Sequence, residues 1–375
     1  MTGGPGAPAA DEAHQADPLT LADVEDRARA VLAPEVYDFV AGASGREETL
    51  HANRTAFDRC HLVPRVLSGV ATADTTTTLL GVPAAMPVAV APMAFHAVVH
   101  PDGEPAVARA AAAAGIPFTA ATLSGCPLDE PAATGADLFL QLYWLRDRAR
   151  TEWLIGEAER LGARALMLTV DVPFMGRRLR DLRNGFTVPA HAAPVNLADT
   201  QRGAGQSVGA HAAEVIDPTL SWSDVAWLRQ RTRLPLVLKG VLDPADARRA
   251  VDLGVDGLVV SNHGGRQLDG AVPSLLALPA IRDEVGDACE LLLDSGVRGG
   301  TDVLRALALG ASGVLLGRPV LWGLASGAEA GVTGVLELLR AELAVSMALA
   351  GAPSVAAAGR LGVRRESATN EREGS

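Results

Sequence analysis

The segment Gly254-Val255-Asp256-Gly257-Leu258-Val259-Val260-Ser261-Asn262-His263-Gly264-Gly265-Arg266 decides the fold. A glycine ends a helical pattern, an apolar run follows, and a polar residue arrives seven positions later at Ser261. Glycine suits the residue just past a helix, because a left-handed backbone there causes no side-chain clash. The run Gly257–Val260 carries no polar alternation, as expected of a parallel strand covered on both faces. The same phrase recurs at the same spacing from Gly115 to Thr122, Gly162 to Thr169 and Gly310 to Gly317.

Following that phrase along the chain predicts eight strands, at Pro87–Met93, Pro117–Thr122, Leu138–Tyr143, Ala165–Asp171, Pro235–Lys239, Gly257–Ser261, Glu290–Asp294 and Gly313–Gly317. Helical patterns such as Thr151–Leu161, Ala245–Leu253 and Thr301–Leu309 separate almost all of them. Eight alternating units in one chain predict the α/β class and a closed (β/α)8 TIM barrel; a doubly wound open sheet normally has fewer strands. Before the first strand, Thr20 is placed to cap a helix running to Val31, with Asp23 completing a capping box. Short helices are expected at Pro34–Ala41 and Arg46–Phe57, as an N-terminal helical extension forming a lid or plug on the barrel. Residues 1–18, rich in Gly, Ala and Pro, read as a disordered leader, and 362–375 as a flexible tail. The long connection at about 189–220, rich in Ala, Gly, His and Gln, is expected to be a mobile loop beside the active face.

Composition narrows the function. The 375 residues carry a net charge of −11, so no overall basic field draws nucleic acid or an anionic membrane. Apolar residues make up 48% and aromatic residues 4%, which suits layered packing of Ala, Leu and Val. Cys60, Cys126 and Cys289 form no metal-binding pattern and fit a reducing cytoplasm better than a disulfide framework. No apolar run reaches transmembrane length.

In a barrel of this kind, the C-terminal strand ends converge on one site. They deliver the backbone of Pro92, Met93 and Ala94, then Thr122, Gln141 with Tyr143, Thr169 with Asp171, Lys239, Ser261 with His263, Asp294, and Gly317 with Arg318. An inward Lys239 after Leu236-Val237-Leu238 requires an anionic partner or a depressed pKa. The loop Asp294-Ser295-Gly296-Val297-Arg298 and the pair Gly317-Arg318 end strands seven and eight, where barrels commonly bind phosphate. His263 can move protons near neutral pH, and Arg266 can grip a carboxylate with two parallel hydrogen bonds. Arg178 is expected to face inward, while Arg177, Arg180 and Arg183 read as a solvated loop.

With these motifs in place, the chain from about Leu19 to Leu361 resembles the FMN-dependent α-hydroxy acid oxidases and dehydrogenases. Ser261–Asp269, Leu236–Gly240, Gln141-Leu142-Tyr143, Leu168–Asp171 and Asp294–Arg298 carry the resemblance. Gln141–Asp147 and Gly176–Phe186 bring it nearest to the hydroxymandelate-oxidising members. The resemblance implies FMN as cofactor, a small 2-hydroxy acid and O2 as partners, and a homo-oligomer such as a tetramer or octamer. It implies that His263 is the catalytic base, that Asp171 orients it, and that Arg178, Arg266 and Tyr143 hold the substrate. By the same resemblance, Lys239 stabilises reduced flavin, and Ala94, Gln141, Thr169 and Ser261 bond the isoalloxazine. Asp294, Arg298, Gly317 and Arg318, with Ser295 and Gly296 in the loop, would hold the ribityl phosphate.

The chain departs from the family pattern in four places. Phe39 replaces a tyrosine that contacts the substrate carboxylate, and Leu123 stands where glycolate oxidase has tryptophan. These two favour an aryl 2-hydroxy acid, with 4-hydroxymandelate or mandelate expected and lactate or glycolate the alternative. A flavin-contacting serine appears as Ala121, beside Thr122, and Asp294-Ser295 replaces the usual Asp-Gly. An FMN-barrel isomerase would need an acidic metal-ligand cluster, and a non-catalytic flavin binder would not need His263, Asp171, Arg178 and Arg266 together.

Overall fold

The computed structural model describes residues 17–197 and 203–366. The barrel strands are β1 (Val88–Val90), β2 (Phe118–Ala120), β3 (Leu138–Leu142), β4 (Ala165–Thr169), β5 (Leu236–Val241), β6 (Gly257–Val260), β7 (Glu290–Leu293) and β8 (Gly313–Leu316). All are parallel to their neighbours, and β8 closes on β1 through Val314↔Val88 and Leu316↔Val90. The eight expected strands are therefore the eight of the barrel. Gly115, Gly162, Gly254 and Gly310 all have positive φ, between 66° and 107°, as the helix-ending glycine phrase requires.

Alternate strand residues fill the barrel. Ala89, Phe139, Met167, Val237, Val259, Leu292 and Leu315 form one buried cluster with Leu79 and Leu80. Those two leucines come from a hairpin, Thr77–Leu79 with Val82–Ala84, that stoppers the barrel at the N-terminal ends of its strands. The Glu290 carboxylate accepts the Leu80 amide at 3.0 Å and fixes the hairpin there. Residues pointing the other way from the strands pack under the surrounding helices in a second, larger core.

The N-terminal extension consists of α1 (Leu21–Val31), α2 (Pro34–Ala41) and α3 (Glu48–Asp58). Thr20 and Asp23 form the expected capping box on α1. The first of these helices packs along the helical run Arg318–Ala350, which breaks at Gly327 and Ala328. The other two lie at the C-terminal mouth of the barrel. Asn53 of α3 exchanges two side-chain hydrogen bonds with Asn262, at 2.9 and 2.7 Å. The Asp269 carboxylate accepts the Arg46 and Thr49 amides at the start of α3.

Two boundaries differ from the sequence expectation. Gly362–Arg365 is a strand paired antiparallel with Cys60–Val63, so chain order continues past residue 361 rather than giving way to a tail there. Residues 367–375, and 1–16 of the expected leader, lie outside the described residues. Within the connection expected to be a loop, Val208–Val215 is a helix capped by Ser207, whose hydroxyl accepts the Ala210 amide. Among the described residues, no helix is long and apolar enough to cross a membrane.

Candidate active site

The strand ends surround a cleft at the C-terminal mouth. Its floor is set by Lys239. Across the β5–β6 pairing, Lys239 faces Val259 and Val241 faces Val260, so Gly240 is an extra residue, a β-bulge. A bulge re-aims the side chains beside it. The Lys239 ammonium is buried, pairs with the Asp294 carboxylate at 2.9 Å and bonds Ser261 Oγ at 3.1 Å. Burial alone would lower the Lys239 pKa, but Asp294 and Asp171 outweigh it and the net shift is upward. Burial likewise opposes ionisation of Asp294, and the Lys239 charge with hydrogen bonds from Ser261 and Ser295 keeps its pKa below the ordinary value. The pair is ionised at neutral pH.

Beside that pair stands His263. Its Nδ1 lies 3.1 and 3.2 Å from the two Asp171 oxygens. Burial depresses the imidazole pKa; the Asp171 charge opposes this without reversing it. Gln267 Nε2 donates to the Asp171 and Phe174 carbonyls at 2.8 Å each, which ties the His263 loop to the β4 loop. Gly240 backs the dyad. Its φ is 113°, and a Cβ there would sit 2.5 Å from both Cβ and Cγ of Asp171. Gly240→Ala should therefore displace Asp171 and destabilise the fold by about 1–3 kcal/mol, read as a lower urea midpoint with unchanged slope.

Four guanidiniums line the same cleft: Arg178, Arg266, Arg298 and Arg318. Two of them clamp the end of α2. Arg266 donates to the carbonyls of Phe39 and Gly42 at 2.7 and 2.9 Å. Arg318 donates to Val40 and Gly42 at 2.9 and 2.8 Å, and to Gly264 at 3.0 Å. The last carbonyls of a helix have no partner within it and carry its negative end, so cations settle there. Arg298 stacks over Trp322, 4.8 Å from the ring centroid. Arg178 is buried, and its Nε has no hydrogen-bond partner among the described residues.

Crowded positive charge in a dry cleft disfavours ionisation. Burial, then Arg298 and Arg178, pull Arg318 down to about 9. Burial brings Arg298 to about 10. Arg266 falls well below its ordinary value through burial and the neighbouring Arg178 and Arg318. The nearby Asp294 and Asp171 are already engaged by Lys239 and His263. The cleft is thus complementary to anions. A phosphorylated flavin and a carboxylate both fit this donor set of four guanidiniums, of which Arg298 and Arg318 stand at the β7 and β8 ends.

Most of the sequence-derived residues meet here. Pro92, Met93, Ala94, Leu123, Tyr143, Gly296 and Gly317 line the cleft together with Phe39 and the charged set. Thr122, Gln141, Thr169 and Ser261 stand one layer back. Thr122 Oγ1 donates to the Gln141 carbonyl at 2.8 Å and accepts the Tyr143 amide at 3.1 Å, so its hydroxyl is spent on the wall. Gln141 bonds the Thr122 amide and Thr169 Oγ1, at 3.0 Å each. Ser295 lines the cleft, but its hydroxyl bonds protein on every side. Arg180 is no solvated side chain: it pairs with Asp38 at 3.1 Å and Glu47 at 2.6 Å and joins the β4 loop to the N-terminal extension.

The residues missing from the sequence reading are apolar. Phe95, Met175, Val208, Ala212, Ile216 and Leu321 line the cleft as well. Val208, Ala212 and Ile216 recur every four residues, and that spacing after the Ser207 cap was the available signal. Phe39 stacks on Phe186 at 4.4 Å between centroids with 10° between planes, and lies 6.3 Å from Phe95.

Comparison with known proteins agrees with this geometry. The profile of the family described as FMN-dependent dehydrogenase matches residues 28–365. The chain is 50% identical to 4-hydroxymandelate oxidase of Amycolatopsis orientalis over 351 residues, covering 92% of this chain and 98% of that protein. It is 45% identical to L-lactate oxidase of Nostoc sp. over 345 residues, covering 89% and 94%. A crystal structure of mandelate oxidase with (S)-4-hydroxymandelic acid superposes with a TM-score of 0.90 at 50% identity, covering 93% of this chain and 99% of that one. The closed barrel, the cleft at its C-terminal mouth and these matches together make the chain a member of the FMN-dependent dehydrogenase family, an FMN-dependent 2-hydroxy acid oxidase.

Proposed function

We propose that the substrate is an aryl (S)-2-hydroxy acid of the mandelate type, oxidised to the 2-oxo acid while O2 becomes hydrogen peroxide. One observation carries this reading: the cleft lined by four guanidiniums and by His263, which Asp171 backs, is also walled by Phe39, Leu123, Met175, Val208, Ala212 and Ile216. A carboxylate needs the first set, and only a bulky apolar group makes use of the second. Phe39 offers no hydroxyl, and its stack on Phe186 extends the aromatic surface.

In this reading, bound FMN supplies the two-electron acceptor. Arg178 and Arg266 hold the substrate carboxylate, and Tyr143 bonds its oxygens. His263 takes a proton from the substrate through Nε2, because Asp171 engages Nδ1 and stabilises the imidazolium that forms. Lys239 and the backbone of Pro92–Ala94 would face the isoalloxazine, with Gln141, Thr169 and Ser261 bracing that wall from one layer back, and the Lys239 charge would favour negative charge on the flavin. Arg298, Arg318 and Gly317 take the phosphate. Asp294, paired with Lys239, is better suited to ribityl hydroxyls than to a phosphate anion.

A base must be neutral to act, and burial holds the His263 pKa below its ordinary 6.5. Reduction of the flavin should therefore stay near its full rate as pH falls through that value and decline only at lower pH. A pH profile of kcat/KM checks this, and an acid limb above neutrality contradicts it. Peroxide formation with a substrate panel tests the substrate class. The expected order is (S)-4-hydroxymandelate and (S)-mandelate above L-lactate and glycolate, by about 10- to 100-fold in kcat/KM; preference for glycolate overturns it.

Two coarser expectations belong to the same reading. Val66, Leu67, Val345 and Leu349 expose apolar side chains near the Arg65–Ala350 backbone contact, which supports a homo-oligomer, and the family resemblance makes it a tetramer or octamer. Sedimentation velocity measures its mass. Cys60, Cys126 and Cys289 are free thiols, which supports a cytoplasmic location.

A further inference from the structure

The His263 loop has an unusual backbone. His263, Gly264 and Gly265 have φ of 59°, 65° and 76°, three left-handed residues in succession. Glycine adopts that region freely, but a histidine does so only when its surroundings impose it. The surroundings here are hydrogen bonds to successive amides. His263 N donates to Ser261 Oγ at 3.0 Å, and Gly265 N donates to Asn262 Oδ1 at 3.1 Å. The remaining two amides, Asn262 N at 3.3 Å and Gly264 N at 2.9 Å, donate to a single acceptor, Ser295 Oγ. The hydroxyl proton is spent on Asp294 Oδ1 at 2.6 Å. One donor and two acceptor positions are all a serine hydroxyl has.

Ser295 is itself left-handed, with φ of 75°, at a position where glycine would be unstrained. Serine there carries a conformational penalty that glycine would avoid, and its hydroxyl is the compensating feature. Through it, the amides on both sides of His263 are tied to the Asp294 carboxylate that pairs with Lys239.

We propose that Ser295 is a positioning residue for His263, whose hydroxyl holds the amides flanking the imidazole and couples their placement to the Lys239–Asp294 pair. The proposal rests on His263 acting as the base. It predicts that imidazole aim, and not cofactor or substrate affinity, depends on Ser295. A misplacement of about 1 Å in a reacting group can slow a reaction by about 10²-fold.

Two holoenzyme variants test it. Ser295→Gly removes the hydroxyl and relieves the backbone; Ser295→Ala removes the hydroxyl and keeps the left-handed strain. If the hydroxyl matters, both behave alike. In each, hydrogen exchange at the Asn262 and Gly264 amides, read by mass spectrometry on peptides spanning them, should accelerate about tenfold or more. Anaerobic flavin reduction at saturating substrate should slow about 10- to 100-fold, with substrate dissociation constant and bound-FMN spectrum near those of the parent. Unchanged exchange, or a glycine variant reduced as fast as the parent, overturns the role of Ser295. A parent enzyme that no 2-hydroxy acid reduces overturns the base assignment, and with it the catalytic half of the proposal, while the exchange result still decides whether Ser295 holds the loop.

Discussion

His263→Ala should retain yellow, bound flavin and lose about 10²- to 10⁴-fold in the rate of flavin reduction, the range that a positioned general base contributes. That loss corresponds to about 3–5 kcal/mol of barrier. The flavin should stay because Lys239, Gln141, Arg298 and Arg318, the residues assigned to it, are untouched. His263 meets the demands on a base: it lines the cleft, its Nδ1 is engaged by Asp171, and burial keeps it neutral. Reduction by the variant at the parent's rate would remove His263 from the mechanism.

Arg178→Leu should produce a different failure. Arg178 is buried, lines the cleft, and has an Nε without a hydrogen-bond partner among the described residues. Arg266, by contrast, spends one nitrogen on the Phe39 and Gly42 carbonyls. Removing Arg178 should cost about 2–4 kcal/mol of binding, as for a buried charge that loses its partner, and so raise the substrate dissociation constant by about 30- to 1,000-fold. Arg178→Lys should lie between, since an ammonium keeps the charge and loses the planar fork. Titration of holoenzyme with the 2-oxo acid product, followed by flavin absorbance, measures the affinity without turnover. Equal affinity in Arg178→Leu would shift the carboxylate clamp to Arg266 alone.

The barrel was legible because its signals are local and repeated. A glycine after each helix, five or so apolar residues and a polar strand end are set by backbone sterics and burial, and neither depends on distant partners. The charged members of the site were legible for a related reason: Lys239 after three buried apolar residues and His263 in a glycine turn are costly unless used. The hairpin that closes the barrel floor was not, since its strands have three residues each, too few for a period. Nor was the Gly362–Arg365 strand, which pairs with Cys60–Val63, some three hundred residues away in sequence. Val208–Val215 was harder to read, because the Ala, Gly and His between Val208, Ala212 and Ile216 dilute their four-residue apolar spacing. The direction of a hydroxyl was the least accessible detail. Thr122 and Ser295 turn toward protein partners because those amides and carbonyls, invisible in sequence, converge on them.

Phe39 and Leu123 carry the substrate reading furthest, and the most direct measurement addresses them through the whole site. Holoenzyme mixed anaerobically with (S)-4-hydroxymandelate should lose its visible flavin absorbance in a single turnover and regain it when air is admitted. Retention of the oxidised spectrum with (S)-4-hydroxymandelate and (S)-mandelate, while glycolate or L-lactate bleaches it, would contradict the account.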